Sequence, residues 1–319
     1  MSETPPDPTP ESESSEPRFD VFLNDRMLPV EEARVGVEDA GFQHAVGLFE
    51  TLAVVGGRAF RLERHLKRLA DSATSLGLVK RLETKPLADA VTRAIAHNRL
   101  DRARLRLTLT AGEVSMLKPP KAGQDPQPTL AIVSSPPTVY DPQYFERGVT
   151  VMIAEPRANP LNPLEGHKTL SYWARLRSLR QAASAECGEA IWLSVTNHLA
   201  SGAISNLFLV KDGELLTPIV RGEEGEGELP SPVLPGVTRE AIGELAEARG
   251  IAVHRKLLSI DDLLDADEAF LTNSGWGVLP AVKVEKTPIG EGEVGVVTKQ
   301  LRRALVETID RECGVRGEG

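Results

Sequence analysis

Residues 47–78 read GLFETLAVVGGRAFRLERHLKRLADSATSLGL, and the period of the apolar residues changes halfway through. Up to Gly56-Gly57 the run suits a short strand, and "RAF" after the glycines starts a second, so the two form a hairpin. From Leu62 onward the pattern is different. Leu62, Leu66, Leu69, Ala73 and Leu76 fall at alternating steps of four and three, the spacing of a helix with one buried stripe. "TKPLADAVTRAIAHNRL" (84–100) predicts a second helix, with Thr84 as its cap and Pro86 in its first turn. Upstream, "DVFLNDRMLP" (20–29) reads as a strand and turn. Downstream, "RARLRLTLTAG" (102–112) sets Leu105, Leu107 and Leu109 against Arg104, Arg106 and Thr108, a half-buried strand, and "TLAIVSS" (129–135) is another. Strand, strand, helix, helix, strand, strand is an α+β pattern.

The Pro-rich "SSPPTVYDPQ" (134–143) breaks both periods and marks a domain boundary. The expected division is a disordered acidic tail over residues 1–17, a small α+β domain over 18–135, a linker over 136–143 and a larger, β-rich domain over 144–315. The larger part opens with the strand "GVTVMIA" and a long loop to Lys168, followed by the helix "SYWARLRSLRQAASAECG" (171–188). Short strands follow at "EAIWLSV", "SNLFLVKDGELLTP", "IAVHRKL" and "EAFLTN", with a tight hairpin turn at Asp212-Gly213. Two further helices are expected at "TREAIGELAEARG" and "VTKQLRRALVETIDREC", and the low-complexity "RGEEGEGELPSP" (221–232) reads as a mobile loop.

Composition narrows the function. A chain of 319 residues with 41% hydrophobic content can bury the cores of two domains. A net charge of −9 argues against nucleic acid or an anionic membrane as the main partner, because both reward a basic face. Cys187 and Cys313 make neither a disulfide framework nor a metal-ligand pattern, so no metal site and a reducing, cytoplasmic setting are expected. The first 17 residues lack the apolar run of a signal peptide, and no uncharged apolar run approaches the ~20 residues that span a bilayer.

Single residues say less. Lys168 lies in a loop, where most lysines are solvated. Arg68 flanks the apolar stripe of its helix, where arginines commonly lay their stems along apolar surface. "PGVTREAI" places Gly236, Val237 and Thr238 at a helix start, where free backbone N–H groups can meet an anion or simply be capped. "LTNSGWGVLP" brings Asn273 and Ser274 to a strand end, with Trp276 either narrowing a pocket or packing in a core.

Their joint order is more specific. "EDAGFQHAVGLFETL", "FRLERHLKRL", "HKTLSYW", "GAISNLFLVKDGELLTP", "LPGVTREAI", "DEAFLTNSGWGVLPAV" and "IGEGEVGVVTKQL" together resemble the class IV aminotransferases over roughly residues 20–312. These are pyridoxal 5'-phosphate enzymes that include branched-chain and D-amino acid aminotransferases and aminodeoxychorismate lyases. The resemblance implies a small α+β domain and a larger domain with the cofactor in the cleft between, and a homodimer. It implies that Lys168 forms the Schiff base and moves the substrate's α-proton, work that needs a desolvated, deprotonated amine. It gives Arg68 to the phosphate, which its planar fork suits, together with Val237, Thr238 and Ser274. Tyr172 stands near the position that meets the phenolic oxygen, and Arg106, with Arg104 on the same face, is the candidate for the substrate carboxylate.

The sequence departs from the family at three places. In "LASGAISNLF" the position of the usual glutamate, which keeps the pyridine nitrogen protonated, is Ser201. A serine can only hydrogen-bond there, which weakens the ring as an electron sink. Ala45-Val46 replaces a frequent Gly-Asp, and Ala111 stands where D-amino acid enzymes carry an arginine. "FLTNSGWGVLP" looks closer to the lyase branch. The leading expectation is transamination of a branched-chain type α-amino acid with a 2-oxo acid. The alternatives are an aminodeoxychorismate lyase giving 4-aminobenzoate and pyruvate, and a cofactor-binding homologue with little catalysis.

Overall fold

The structure, a computed structural model, describes residues 18–113 and 127–315; the acidic tail expected over residues 1–17 lies outside them. The first part of the chain forms β1 (Val21–Leu23), β2 (Arg26–Leu28), α1 (Ala40–His44), β3 (Gly47–Val55), β4 (Arg58–Ala59), α2 (Leu62–Ser75), α3 (Thr84–His97), β5 (Ala103–Thr110) and β6 (Leu130–Ser135). The strands make an antiparallel sheet in the order β2-β1-β6-β5-β3-β4. Leu105, Leu107 and Leu109 are buried on one face of β5 with Leu66, Leu69 and Ala73 of α2 and Leu87, Val91 and Ala94 of α3. The period-two strand and the 3.6-period helices thus bury their stripes against each other, each large side chain contributing about 1.5–3 kcal/mol. Arg104 and Arg106 are left on the opposite face.

The second part runs α4 (Gln143–Glu146), β7 (Val149–Ala158), α5 (Trp173–Ser184), β8 (Glu189–Ser194), β9 (Leu199–Gly202), β10 (Asn206–Lys211), β11 (Glu214–Thr217), α6 (Val237–Glu247), β12 (Val253–Arg255), α7 (Ile260–Leu264), β13 (Glu268–Asn273), β14 (Gly277–Val284), β15 (Thr287–Pro288) and α8 (Val296–Cys313). Its sheet follows β12-β11-β10-β13-β14-β7-β8-β9, with β15 on β14. The pairs β11/β12, β14/β7 and β7/β8 are parallel and the others antiparallel. One face packs α6 and α8, through Ile242, Leu301 and Leu305 against Phe208 and Phe270. The fold is therefore α+β. The division at residues 136–143 stays a proposal; β6 ends at Ser135 and α4 begins at Gln143.

Several local readings change. Thr84 is the first residue of α3 rather than its cap; Glu83 occupies the cap without a side-chain hydrogen bond. Helix α1 has too few residues to show a period, and it is held by Asp39, which accepts from Gly41 N (2.7 Å), Thr110 Oγ1 (2.8 Å) and Thr129 Oγ1 (2.7 Å). Strand β9, at the end of the sheet but buried along its whole length, and β14, buried through Val278–Ala281, show no clear alternation. The 221–232 loop is tied down: Arg221 N donates to Val233 O at 2.9 Å, and Glu223 pairs with Arg239 at 2.8 Å. Trp276 packs in the core of the second sheet, edge-on to Tyr140 at 5.9 Å.

Candidate active site

The two sheets enclose a cleft of 430 Å³ whose walls include each residue expected to hold the cofactor or the substrate: Arg68, Arg104, Arg106, Lys168, Tyr172, Ser201, Val237, Thr238 and Ser274; Trp276 is not among them. An adjoining groove of 890 Å³ lies against Arg68 and the start of α6 but does not reach Lys168.

Lys168 is fixed by its backbone. Its carbonyl accepts from Phe49 N at 2.9 Å, and Leu170 N donates to Gly47 O at 2.9 Å, so the segment after the long loop is stitched to the edge of β3. The amine stands 4.4 Å from the centroid of Phe49 and 5.9 Å from that of Tyr172. Burial pulls its pKa down to about 8; Glu50 opposes this, and the guanidinium groups of Arg68, Arg106 and Arg175 add to it.

Arg68 is aimed by Glu50, a residue that reading for cleft cations overlooked. Nε meets Glu50 Oε1 at 2.9 Å and Nη2 meets Oε2 at 2.5 Å, while Nη1 donates to Pro235 O at 2.8 Å. Burial alone would raise the Glu50 carboxyl, but the Arg68 charge and a hydrogen bond with His65 (2.8 Å) hold it at about 2. Pro235 leads directly into α6, so Arg68 stands beside the helix start. The cap is Gly236, without a side-chain hydrogen bond, and the first-turn N–H groups of Val237 and Thr238 have no carbonyl one turn earlier to meet. Asn206 Nδ2 holds this turn through Leu234 O at 2.9 Å. A Cβ on Gly236 would fall 1.9 Å from Asn206 Oδ1, so the close approach requires glycine.

The β13–β14 turn supplies the next wall. Asn273 Oδ1 accepts from Gly275 N at 2.8 Å and Trp276 N at 3.0 Å, which sets Ser274 on the cleft. Beside it, Thr272 Oγ1 is buried without a hydrogen-bond partner among the described residues. Tyr172 meets Phe49 edge-on at 5.3 Å, and its hydroxyl donates to Ala203 O at 3.4 Å; burial pushes its pKa up.

At the Ser201 end the group bonded to the hydroxyl is a guanidinium. Arg175 Nη1 donates to Ser201 Oγ at 3.2 Å and Nη2 pairs with Glu165 at 3.1 Å. Glu189, buried on β8, is the nearby carboxylate that could have stood in for the missing glutamate, but it is absent from the cleft wall. Its oxygens accept from Ala190 N (2.9 Å), Ala203 N (3.2 Å), Ile204 N (3.2 Å) and Ser205 Oγ (3.0 Å), so it shapes the turn behind Ser201. Across the cleft, Arg106 lies 3.8 Å over the Phe49 ring, and Arg104 Nε donates to Ser135 Oγ at 3.2 Å.

A desolvated amine, an arginine beside an open helix N-terminus and an orphaned buried hydroxyl form a donor set for a phosphorylated aldehyde, so the residues present fit pyridoxal phosphate. Fold and site together define an aminotransferase-type pyridoxal-phosphate enzyme. The model of the Amino-transferase class IV family matches residues 47–284, and the chain belongs to that family: it is a pyridoxal-phosphate-dependent aminotransferase. It is 31% identical over 292 residues to the branched-chain-amino-acid aminotransferase of Escherichia coli, covering 89% of this chain and 91% of that one. A crystal structure of the Escherichia coli branched-chain amino acid aminotransferase superposes with a TM-score of 0.82 at 29% identity, over 92% of this chain and 95% of that one. The 4-amino-4-deoxychorismate lyase of Pseudomonas aeruginosa superposes with a TM-score of 0.77 at 28% identity, over 91% and 99%. Among the described residues no helix is long and apolar enough to cross a membrane.

Proposed function

We propose that the enzyme moves the amino group of a branched-chain type α-amino acid to a 2-oxo acid, with Lys168 carrying the cofactor as a Schiff base. The observation that carries this reading is the Lys168 amine, held between Phe49 and Tyr172 with its pKa lowered to about 8. When bound, pyridoxal phosphate supplies the carbonyl that condenses with amines and the ring that takes up the electron pair left on deprotonation. Lys168, neutral for a useful fraction of the time near neutral pH, takes the substrate α-proton as base and returns it as acid. Arg68, the Val237 and Thr238 N–H groups and the Ser274 hydroxyl hold the phosphate, and Tyr172 faces the phenolic oxygen. Arg106 takes the substrate carboxylate with Arg104 beside it, and Leu170, Leu176 and Leu179 on the cleft wall suit a branched side chain.

The homodimer and a cytoplasmic setting belong to the same proposal. Exposed Leu161 (72%), Trp173 (73%) and Phe42 (74%) are the kind of apolar surface a second copy would cover. A second reading, release of pyruvate from aminodeoxychorismate, is favoured by the likeness to the Pseudomonas aeruginosa lyase. Amino transfer from a panel of amino acids to 2-oxoglutarate, run beside pyruvate release from aminodeoxychorismate, separates the two. Transfer from leucine, isoleucine and valine above a Lys168→Ala control is expected; pyruvate release alone would replace the proposal, and neither reaction would leave a cofactor-binding homologue with little catalysis.

A further inference from the structure

We propose that Arg175 is a positioning residue that, through Ser201, keeps the pyridine nitrogen of the bound cofactor unprotonated. This rests on the cofactor reading above, with the nitrogen side of the ring at Ser201. Ser201 and Trp192 are cross-strand partners on β9 and β8 and therefore share a face of the sheet. The Arg175 guanidinium lies over that face, 4.7 Å from the Trp192 ring centroid. Glu165 grips its Nη2 at 3.1 Å, and Nη1 also donates to Gly202 O (3.2 Å) and Ala203 O (3.4 Å). These contacts fix the guanidinium beside the Ser201 hydroxyl.

The consequence follows from hydrogen-bond inventory. Arginine has no lone pair to offer, so the 3.2 Å contact makes Ser201 Oγ the acceptor and leaves the hydroxyl hydrogen to point elsewhere. A hydroxyl that donates to a pyridine nitrogen binds the lone pair, and only the unprotonated ring has one. A neighbouring cation also disfavours a second positive charge. The other charged groups do not reverse this. Glu165 is engaged on the far nitrogen of Arg175, Glu189 is surrounded by four donors of its own turn, and Glu50 is paired with Arg68. Arg106 is cationic, and Tyr172, its pKa raised by burial, is neutral near pH 7.

The test reads the nitrogen itself. Protein loaded with pyridoxal phosphate carrying 15N in the ring is titrated by 15N NMR from pH ~5 to ~9, beside Arg175→Leu, Arg175→Lys and Ser201→Glu. The native signal is expected at the neutral pyridine position at neutral pH. Arg175→Lys should keep it there, Arg175→Leu should raise the titration midpoint by about one unit or more, and Ser201→Glu should give a pyridinium signal. A pyridinium signal from native protein at neutral pH overturns the proposal whether or not the variants fold, as does a midpoint unchanged in a folded Arg175→Leu. Borohydride reduction of the same samples separates this failure from failure of the cofactor reading. Label on Lys168 with a pyridinium signal removes only the role of Arg175; no label removes both.

Discussion

Glu50 and Arg68 are joined by two hydrogen bonds, Nε to Oε1 at 2.9 Å and Nη2 to Oε2 at 2.5 Å, with the carboxylate almost wholly buried. The pair fixes the plane of the guanidinium at the start of α6. Glu50→Gln keeps the shape but removes the charge and one acceptor, leaving a part-buried cation uncompensated. A loss of about 3–5 kcal/mol in unfolding free energy is expected, together with weaker pyridoxal phosphate binding. Denaturant unfolding and cofactor titration of the purified variant measure both; unchanged values would show that Arg68 does not depend on Glu50.

Acid should act on the same cluster. The folded-state pKa of Glu50 is held at about 2, below its ordinary 4.5. A depressed carboxyl contributes stability that is complete above the unfolded pKa and is lost as pH falls through the window from about 4.5 to about 2. His65, buried and with a lowered pKa, works in the same direction from its ordinary 6.5 downward, because only the unfolded chain takes up its proton readily. Unfolding free energy measured between pH ~7 and ~3 should fall, and Glu50→Gln should flatten the lower part of that curve.

Arg106 and Arg104 share a strand face but differ in their engagements. Arg104 is tied to Ser135, whereas Arg106 stacks on Phe49 near Lys168. Arg106→Ala should raise KM for the amino acid about 10- to 100-fold, the equivalent of one hydrogen-bonded charge contact, with little effect on cofactor affinity. Arg104→Ala should change KM less. Equal effects in steady-state assays would place the carboxylate elsewhere.

Gly236→Ala tests the close turn before α6. The added Cβ would meet Asn206 Oδ1 at 1.9 Å, so the turn must shift away from the phosphate. A cost of about 1–3 kcal/mol is expected, read chiefly as weaker cofactor binding with helix content unchanged by circular dichroism. Retained affinity would show that the turn has room to relax.

Much of this was legible in residue order. The switch of period near Gly56-Gly57 announced strand then helix, and the alternation in residues 103–110 set both arginines on the face opposite the buried leucines. What stayed hidden was what depends on distant partners. Glu50 lies 18 residues from Arg68, and Arg175 lies 26 from Ser201, with no local period to join either pair. Strand β9 and the middle of β14, buried on both faces, carry no alternation to read. The 221–232 loop looked unstructured by composition because its anchors, Glu165 and Arg239, come from elsewhere in the chain.

The central claim is that Lys168 carries the cofactor. Its direct test is to add pyridoxal phosphate over a range of pH, reduce with borohydride and map the labelled peptide. Because the amine titrates at about 8 rather than 10.5, labelling should rise with pH and level off above about 8, more than two units earlier than for an ordinary lysine. The label should sit in the peptide containing Lys168 and vanish in Lys168→Ala. Label spread over surface lysines, with Lys168 unmodified, would contradict the account.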